Sequence, residues 1–499
     1  MTASATTTRR RRPGVDSDHE HYKWWALSCT SLGMLLATIN SGTLIIALPD
    51  LERALNTSIL GLVWVILAYM IASTVLVLTA GRLSDLFGRK QAYVGGFVVF
   101  GLASLGAGFS PDGTTLIVWR VLQGIGGAFL FANAAAVVTD AFPREQLGLA
   151  MGTNTMVAAV GLVLGPVLGG ALVTISWHWV FWFNVPFTAL GSIWAALVLR
   201  ELVKPERTPG YDLLGTAVFV VGLTGLVLGV SRGGISGWSD PLTLGSLIAG
   251  AILLPLFVLI ESRVPAPMLD LTIFRNRMFS AATAAAFING LSRFALMFLF
   301  VFYFQGVKGD DPIKAGIELA PLAIGMLIAS PLAGVWADRH GSRVLAALGM
   351  VVSALGLAGM TMLGIDSSRW WAALWLFVVG VGSGMFNSPN TAAMMGTVPA
   401  HRRGIAAGVR TMLQNTGAVL SIAFVLAIVT SAVPKDVLFK IFSGVTTGLS
   451  DATLAPFVQN MHTALWVLAA TSLVGAGVCL LRPPHQRDAV PAGAAAAGA

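Results

Sequence analysis

The chain has 499 residues, of which 56% are hydrophobic and 11% charged, so it is far more apolar than an ordinary soluble domain. Runs of about 20 mostly apolar residues, the length that crosses the hydrocarbon core of a bilayer, recur from Trp24 to Leu481. The composition therefore predicts an integral membrane protein and excludes a soluble one. Cys29 and Cys479 both fall inside apolar runs, which favours packed thiols over a disulfide or a metal pair.

The apolar runs predict fourteen helical spans, and the positions of Lys and Arg predict their orientation. An even number of spans places both termini on one side, where the basic residues concentrate, beginning with Arg9–Arg12. By the positive-inside rule both termini are cytoplasmic, and the net charge of +8 is an orientation signal rather than evidence for nucleic acid. The spans cover residues 24–48, 61–80, 91–109, 114–139, 149–173, 179–199, 213–230, 243–260, 279–304, 315–336, 343–363, 370–395, 405–430 and 462–481.

An internal repeat predicts the domain organisation. The loop GRLSDLFGRK (Gly81–Lys90) and the loop GVWADRHGSR (Gly334–Arg343) keep glycine, aspartate, glycine and a basic residue at nearly the same spacing, and a second pattern in Pro143–Gly161 recurs in Pro399–Gly417. Duplicated halves around a midplane cavity are typical of secondary transporters. The predicted parts are a basic cytoplasmic tail (1–23), a six-helix bundle (24–199), a linker with two inserted spans (200–265), a second, pseudo-symmetric six-helix bundle (266–481) and a disordered cytoplasmic tail (482–499).

Four motifs resemble those of the major facilitator superfamily. GRLSDLFGRK resembles its loop motif, RVLQGIGGA (Arg120–Ala128) its span 4 motif, and GLVLGPVLGG (Gly161–Gly170) the span 5 motif typical of its antiporters. WHWVFWFNVPF (Trp177–Phe187) resembles a junction found in the fourteen-span drug:proton antiporter branch. The resemblance covers residues 24–481. It implies an all-helical transporter that works by alternating access in the cytoplasmic membrane of a bacterium.

The loop motif predicts a conformational latch. Gly81 and Gly88 let helix ends approach and turn sharply, while Asp85 can accept hydrogen bonds from backbone N–H groups at a helix start and from Arg82 or Arg89. Such a contact can hold the cytoplasmic ends of the two halves together in an outward-open state. A loop that only fixes topology does not account for Asp85 between paired glycines. The predicted latch residues are Gly81, Arg82, Asp85, Gly88 and Arg89, with Gly334, Asp338, Arg339, Gly341 and Arg343 in the repeat.

The span 5 motif predicts a close helix contact. Gly161, Gly165 and Gly169 fall on one stripe at a spacing of four, which forms a face where another helix can come near. Pro166 removes a backbone hydrogen bond and favours a bend. Ordinary tight packing is the alternative. The resemblance implies that this stripe, with Gly170, packs at the moving interface and limits proton leak.

Arg120 in span 4 predicts a functional site inside the membrane. It lies about one and a half to two turns from the outer end of the span, where an unpartnered charge is costly. Gln123 at i+3 reaches the same cavity. A role limited to binding helix-end carbonyls is the alternative. The resemblance implies that Arg120 faces an acidic residue of span 1, but that position is Asn40 here, and a second acidic position in span 2 is Leu67, so proton coupling needs another group.

Few acidic residues are available for that coupling. Glu318 lies near the outer end of span 10, while Arg293 lies near the middle of span 9 and Arg410 about two turns into span 13. Three buried arginines against one acid indicate either that Glu318 titrates near an arginine or that the cavity favours anionic or zwitterionic solutes. Two alternatives stay open. Glu318 is a solvated residue near Lys314 in one, and Arg410 is a snorkelling residue at the end of its span in the other. The predicted pathway residues are Asn40, Arg120, Gln123, Arg293, Glu318 and Arg410.

Two transporter functions follow from these residues. The first is multidrug-type, proton-linked efflux of bulky apolar or amphiphilic compounds, with the aromatic segment Phe294–Gly306 as an adaptable wall. The second is an exporter or flippase of an anionic or zwitterionic amphiphile, such as a lipid, with Arg120 and Arg293 as head-group partners. A membrane-embedded enzyme is disfavoured because the sequence has no catalytic motif. The expected partners are a small-molecule substrate, protons and membrane lipids, without a cofactor, a metal or nucleic acid.

Overall fold

The computed structural model describes residues 21–55, 59–203, 212–265, 267, 269, 271–430 and 451–483. Residues 1–20 of the predicted N-terminal tail, residues 484–499 of the C-terminal tail and part of the predicted linker lie outside this description. The described residues form helices and no strand. Helices suit a membrane because each satisfies its own backbone hydrogen bonds.

The helices in chain order fall into a first group, an inserted pair and a second group. The first group is α1 (Tyr22–Leu55), α2 (Ile59–Phe87), α3 (Arg89–Ala107), α4 (Gly113–Ala141), α5 (Leu147–Ile175), α6 (Trp179–Trp182) and α7 (Asn184–Val198). The inserted pair is α8 (Leu213–Ser236) and α9 (Pro241–Glu261). The second group is α10 (Arg277–Phe302), α11 (Pro312–Glu318), α12 (Ala320–His340), α13 (Ser342–Met360), α14 (Arg369–Gly396), α15 (Arg403–Thr430) and α16 (Asp451–Leu480).

The helices agree with the apolar pattern of the sequence. Each predicted span overlaps one helix, or two where the chain is interrupted, as at α6 with α7 and at α11 with α12. Among the described residues, ten helical segments are long and apolar enough to cross a membrane. The described helices therefore confirm the all-helical membrane fold that the composition predicts.

Aspartate and asparagine side chains set several helix starts. Asp112 accepts a hydrogen bond from the backbone N–H of Thr115 at 2.8 Å, and Asp240 accepts one from Thr243 at 3.0 Å. These hydrogen bonds satisfy N–H groups that have no partner within the helix. They also stabilise the charged carboxylate, so each lowers the pKa of its aspartate from the ordinary value.

The buried apolar residues form separate clusters within the two helix groups. One cluster joins α1, α3, α4 and α7 around Tyr93, Phe97 and Phe100, and another joins α10, α13, α14 and α16 around Phe300 and Phe457. A third cluster crosses between the groups, where α8 packs on α2 and α15. Helix α9 packs on α8 and leaves most of its apolar side chains exposed, as expected for a helix with a lipid-facing surface.

Contacts between the groups run mainly through two helix pairs. Helix α5 packs on α12, and α15 packs on α2. The first turns of α5 and α15 meet the last turns of α12 and α2 at one end of the molecule, which is called the latch end below. The two repeat loops of the sequence both lie at this end.

Candidate functional site

At the latch end, the carboxylate of Asp85 caps a helix of the other group. Asp85 lies in the last turns of α2 and is buried, with 5% of its surface exposed. Its two oxygens accept hydrogen bonds from the backbone N–H groups of Gly404 at 3.2 Å and Ile405 at 3.0 Å, in the first turn of α15. A carboxylate at this position satisfies unpaired N–H groups and opposes the positive end of the helix dipole.

The repeat loop makes the reciprocal contact. Asp338, near the end of α12, accepts hydrogen bonds from the backbone N–H groups of Gly148 at 2.8 Å and Leu149 at 3.2 Å, in the first turn of α5. Each helix group therefore presents one aspartate to a helix start of the other group. The loop of the first group caps a helix of the second group, and the loop of the second group caps a helix of the first.

Glycines allow the helices to approach closely enough for these caps. A Cβ on Gly81 would overlap the carbonyl oxygen of Gly404, and a Cβ on Gly148 or Gly334 would overlap the carbonyl oxygen of the other. Because these neighbours are backbone atoms, they have no side chain that could rotate away. The close approach accounts for the first glycine of each repeat loop.

The second glycine of each loop makes a sharp turn between helices. Gly88 has φ +104° immediately before α3, and Gly341 has φ +88° immediately before α13. Residues with a Cβ rarely adopt this backbone conformation. Gly88 also lies beside Glu201, whose carboxylate accepts a hydrogen bond from the backbone N–H of Arg89 at 3.0 Å.

A network of charged side chains reinforces the Asp85 cap. Arg89 donates to Asp85 from its NH2 group at 3.0 Å, and it also contacts Asp140 and the carbonyl oxygen of Ala400. Arg403, at the start of α15, donates to Asp140 at 2.8 Å. These residues connect α2, α3, α4 and α15 through alternating charges. Among the described residues, Asp338 has no comparable ion pair, so this reinforcement belongs to the Asp85 cap.

The remaining predicted latch residues have unequal surroundings. Arg82 is buried, Arg339 is exposed, and Arg343 is half-buried. The sequence left open whether Arg82 or Arg89 binds Asp85, and the structure shows Arg89 in that contact.

In the interior of the first group, Arg120 of α4 is held by neutral partners. Its Nε donates to the carbonyl oxygen of Val65 at 3.0 Å, its NH1 group donates to Gln123, and its guanidinium lies 4.5 Å from the ring centroid of Tyr69. Arg120 is 1% exposed, and within the described part of the chain it has no carboxylate partner. Carbonyl, amide and aromatic contacts therefore replace the acidic partner that the resemblance implies.

Asn40 of α1 contacts this cluster through Gln123. The amide nitrogen of Gln123 donates to the side-chain oxygen of Asn40 at 3.1 Å and to Ser104 at 2.7 Å. The sequence placed Asn40 opposite Arg120, and the structure adds an intervening amide. Asn184 also faces Asn40, at 3.5 Å from the same oxygen. Sequence reasoning missed Ser104 and Asn184, although a polar residue in an apolar span was a signal for both.

The glycine stripe of α5 packs on the polar stretch of α1. A Cβ on Gly165 would lie 2.9 Å from the Cα of Gly42, and a Cβ on Gly169 would lie 2.6 Å from the carbonyl oxygen of Thr43. Gly161 meets Thr38 in the same way, and Gly170 is buried. The small and polar residues of α1 thus serve two contacts, α5 on one side and Gln123 on the other. Helix α5 continues through Pro166, and the predicted bend there stays a prediction.

In the second group, Arg293 and Arg410 lie on α10 and α15, two helices that pack closely against each other. Both are half-buried, and the Nε of each is buried without a hydrogen-bond partner. The NH1 group of Arg293 lies 3.5 Å from the sulfur of Met326, and its guanidinium lies 5.2 Å from the ring centroid of Phe294. Sequence reasoning named both arginines but not their proximity.

Glu318 belongs to an ion-pair cluster at the end opposite the latch. It accepts from Arg369 of α14 at 2.9 Å, and Asp310 accepts from the same guanidinium group at 2.9 Å and from Lys314 at 2.7 Å. The structure thus gives Glu318 an arginine partner, but that partner is Arg369 and not one of the interior arginines. Lys314 pairs with Asp310 instead of Glu318. In the described residues, no group of three His, Cys, Asp or Glu side chains suits a metal ion.

These contacts define a class of protein. Two groups of apolar helices meet through close glycine contacts and reciprocal helix caps at one end, and each group has polar side chains in its interior. This arrangement is that of a multi-pass membrane transporter.

The chain belongs to the Major Facilitator Superfamily, whose family model matches residues 30–422. It is 31% identical over 412 residues to the tetracenomycin C resistance and export protein of Streptomyces glaucescens, covering 82% of this chain and 76% of that protein. It is 32% identical over 400 residues to the multidrug resistance protein Stp of Mycobacterium tuberculosis, covering 80% and 74%. Since the family and these relatives are transporters, the protein is a transporter and not an enzyme.

A solved structure with the same fold supports the helix arrangement. The crystal structure of the human organic anion transporter MFSD10 (TETRAN) superposes with a TM-score of 0.62 and 14% sequence identity, covering 92% of this chain and 99% of that one. At this identity the comparison establishes the fold alone.

Proposed function

We propose that this protein exports bulky apolar or amphiphilic compounds by proton-coupled alternating access. The reciprocal caps of Asp85 and Asp338 carry the proposal, because they are contacts between the helix groups that can close and open one end of the molecule. The names of the two bacterial relatives, one for resistance and export and one for multidrug resistance, support efflux as the direction.

The proposed architecture follows the sequence repeat. Fourteen spans form two pseudo-symmetric six-helix bundles with α8 and α9 inserted between them, in the cytoplasmic membrane of a bacterium and in the antiporter branch of the family. The distribution of basic residues supports a cytoplasmic location for the latch end and both termini. With the caps formed, the cytoplasmic end is closed and the substrate leaves on the other side.

Opening the cytoplasmic end requires the loss of four backbone hydrogen bonds to Asp85 and Asp338 and the separation of the glycine contacts. Each net contribution is modest, about 1 kcal/mol for a neutral pair and about 1.5–3 kcal/mol where a charge takes part. Substrate or proton binding shifts the populations only where it favours the open state and, with the contacts that form there, offsets this loss.

Proton coupling is proposed to use Glu318. Asn40 cannot carry a proton, and Arg120 already has its neutral partners. Glu318 is a half-buried carboxylate that holds Arg369 together with Asp310. Protonation of Glu318 would weaken its bond to Arg369 and loosen the contact between the end of α11 and the start of α14.

The alternative is an exporter or flippase for an anionic or zwitterionic amphiphile, with Arg120 and Arg293 as head-group partners, and the surroundings of Arg120 do not favour its part in that site. Arg120 is 1% exposed and is bonded to Val65 and Gln123, so its guanidinium does not face open space. A head group at Arg120 would first have to displace these partners.

Flux in proteoliposomes tests the proposed function, with tetracenomycin C as the probe because a relative is named for its export. The wild type should transport tetracenomycin C only with an imposed pH gradient. Glu318→Gln should lose this gradient-driven flux. Asn40→Asp should retain the flux, since Arg120 would hold a new carboxylate ionised. The matched control is Asp112→Asn, which removes one exposed acid and keeps a helix cap. Gradient-driven flux through Glu318→Gln at the wild-type rate would rule out this route for the proton.

A further inference from the structure

Arg293 and Arg410 are brought together by a close contact of α10 and α15. A Cβ on Gly417 would lie 3.0 Å from the backbone nitrogen of Leu291, and a Cβ on Gly290 would lie 3.2 Å from the backbone nitrogen of Ala418. The glycines let the two helices touch backbone to backbone. Both arginines lie within about two turns of this contact, so both long side chains reach the same region.

The pair has no negative partner. Within the described residues neither arginine forms an ion pair, and the Nε of each is buried and unbonded. The arginines of the latch differ in this respect, because Arg89 and Arg403 share Asp140. Charges removed from water are costly unless an opposite charge compensates them, so an uncompensated pair is arranged to receive an anion.

The surroundings of the pair combine charge with soft apolar groups. The sulfur of Met326 lies 3.5 Å from Arg293, and the ring of Phe294 packs beside the same guanidinium. One turn beyond Arg410, Gln414 of α15 donates to Asn387 of α14 at 3.3 Å, so an amide pair between these two helices lies near the arginines. Methionine and aromatic side chains adapt to varied apolar bodies, and a guanidinium fork matches the two oxygens of a carboxylate or sulfonate.

We propose that Arg293 and Arg410 together bind the anionic group of an amphiphilic substrate, a carboxylate or sulfonate attached to an apolar body. The inference rests on the proposed export function and specifies its substrate class. It also moves the anion site from Arg120, which has its own partners, to the second helix group. Because the two arginines lie on different helices, a bound anion would also join α10 to α15.

A matched pair of fluorescent probes tests this site. 8-Anilino-1-naphthalenesulfonate and N-phenyl-1-naphthylamine share one aromatic body and differ by the sulfonate, so the ratio of their dissociation constants isolates the charge. Saturable binding to the full-length protein is measured in nanodiscs of zwitterionic lipid for the wild type, Arg293→Gln, Arg410→Gln and the charge-retaining Arg293→Lys. The control is Arg232→Gln, which removes the same charge from a half-buried ion pair with Asp240.

We expect the wild type and Arg232→Gln to bind the sulfonate more tightly than the neutral probe. Each Gln variant should lose about tenfold in sulfonate affinity and little in affinity for the neutral probe, while Arg293→Lys should keep part of the preference. A wild type without preference, or an equal loss in Arg232→Gln, would overturn the proposal. Retained binding of the neutral probe shows that each variant is folded.

The same binding experiment, repeated in nanodiscs that contain an anionic lipid, shows whether the bound anion is a lipid head group or a free organic anion. If nanodiscs with phosphatidylglycerol reduce sulfonate binding in the wild type but not in the Gln variants, a lipid head group occupies the arginine pair. If they leave it unchanged, the site takes a free organic anion. Since this binding needs neither a pH gradient nor flux, its failure is separate from a failure of proton-coupled export.

Discussion

The replacement Asp85→Asn tests the proposed latch most directly. Asp85 accepts from Gly404 at 3.2 Å, from Ile405 at 3.0 Å and from Arg89 at 3.0 Å. Asparagine has nearly the same shape but no charge, and its NH₂ group faces donors that need an acceptor. The variant should fold, because the change lies at the contact between helix groups and leaves the apolar clusters of each group intact.

The expected magnitude follows from the bonds that are lost. A charge-assisted hydrogen bond contributes about 1.5–3 kcal/mol, and a loss of this size changes the ratio of the two conformers about tenfold to a hundredfold. Arg89 keeps Asp140 as a partner, so the lower part of the range is expected. Asp338→Asn should cost less, about 1.5 kcal/mol at the lower limit for a charge-assisted bond, because Asp338 accepts backbone N–H groups and has no ion pair among the described residues.

Distances between spin labels at the end opposite the latch measure the conformers. Cysteines at Ile175 and Met362, which are exposed and lie in different helix groups, accept the labels, whereas Cys29 and Cys479 are buried. Asp85→Asn should increase the population with the shorter distance, in which the cytoplasmic end is open, and should slow transport. The effects of Asp85→Asn and Asp338→Asn should add in free energy when combined, because both bias one equilibrium. Unchanged distance distributions in the double variant would refute the latch.

Two further predictions concern orientation and packing. A cysteine at Asp311 should react with an impermeant maleimide from outside the cell and one at His340 only after permeabilisation, since both residues are exposed at opposite ends; the reverse result would invert the proposed topology. Gly165→Ala should lower the thermal unfolding midpoint, because overpacking against α1 costs about 1–3 kcal/mol of stability. Gly95→Ala has open space around the added Cβ, so it should be neutral or stabilise the protein by up to about 1 kcal/mol. Equal midpoints for the two variants would contradict the assigned α1–α5 contact.

The sequence predicted the local features of this protein well because they depend on neighbouring residues. Apolar runs of span length located the helices, and glycines at fixed spacing in the two repeat loops marked one close approach and one turn with positive φ in each. The capping acceptor could also be anticipated, since an aspartate between such glycines has few partners other than N–H groups at a helix start.

The sequence alone determined the class of protein, the order of its helices and the residues that carry charge inside them. Only the tertiary structure decided which of those residues meet. Gln123 lies between Asn40 and Arg120, Glu318 takes Arg369 as its partner, and the close packing of α10 on α15 brings Arg293 and Arg410 to the same region. Helix periodicity is a local property, whereas a contact between helices depends on their rotation and crossing, and long arginine side chains reach several neighbours. Partners separated by 51 to 117 positions are therefore fixed by packing, which no short stretch of sequence encodes.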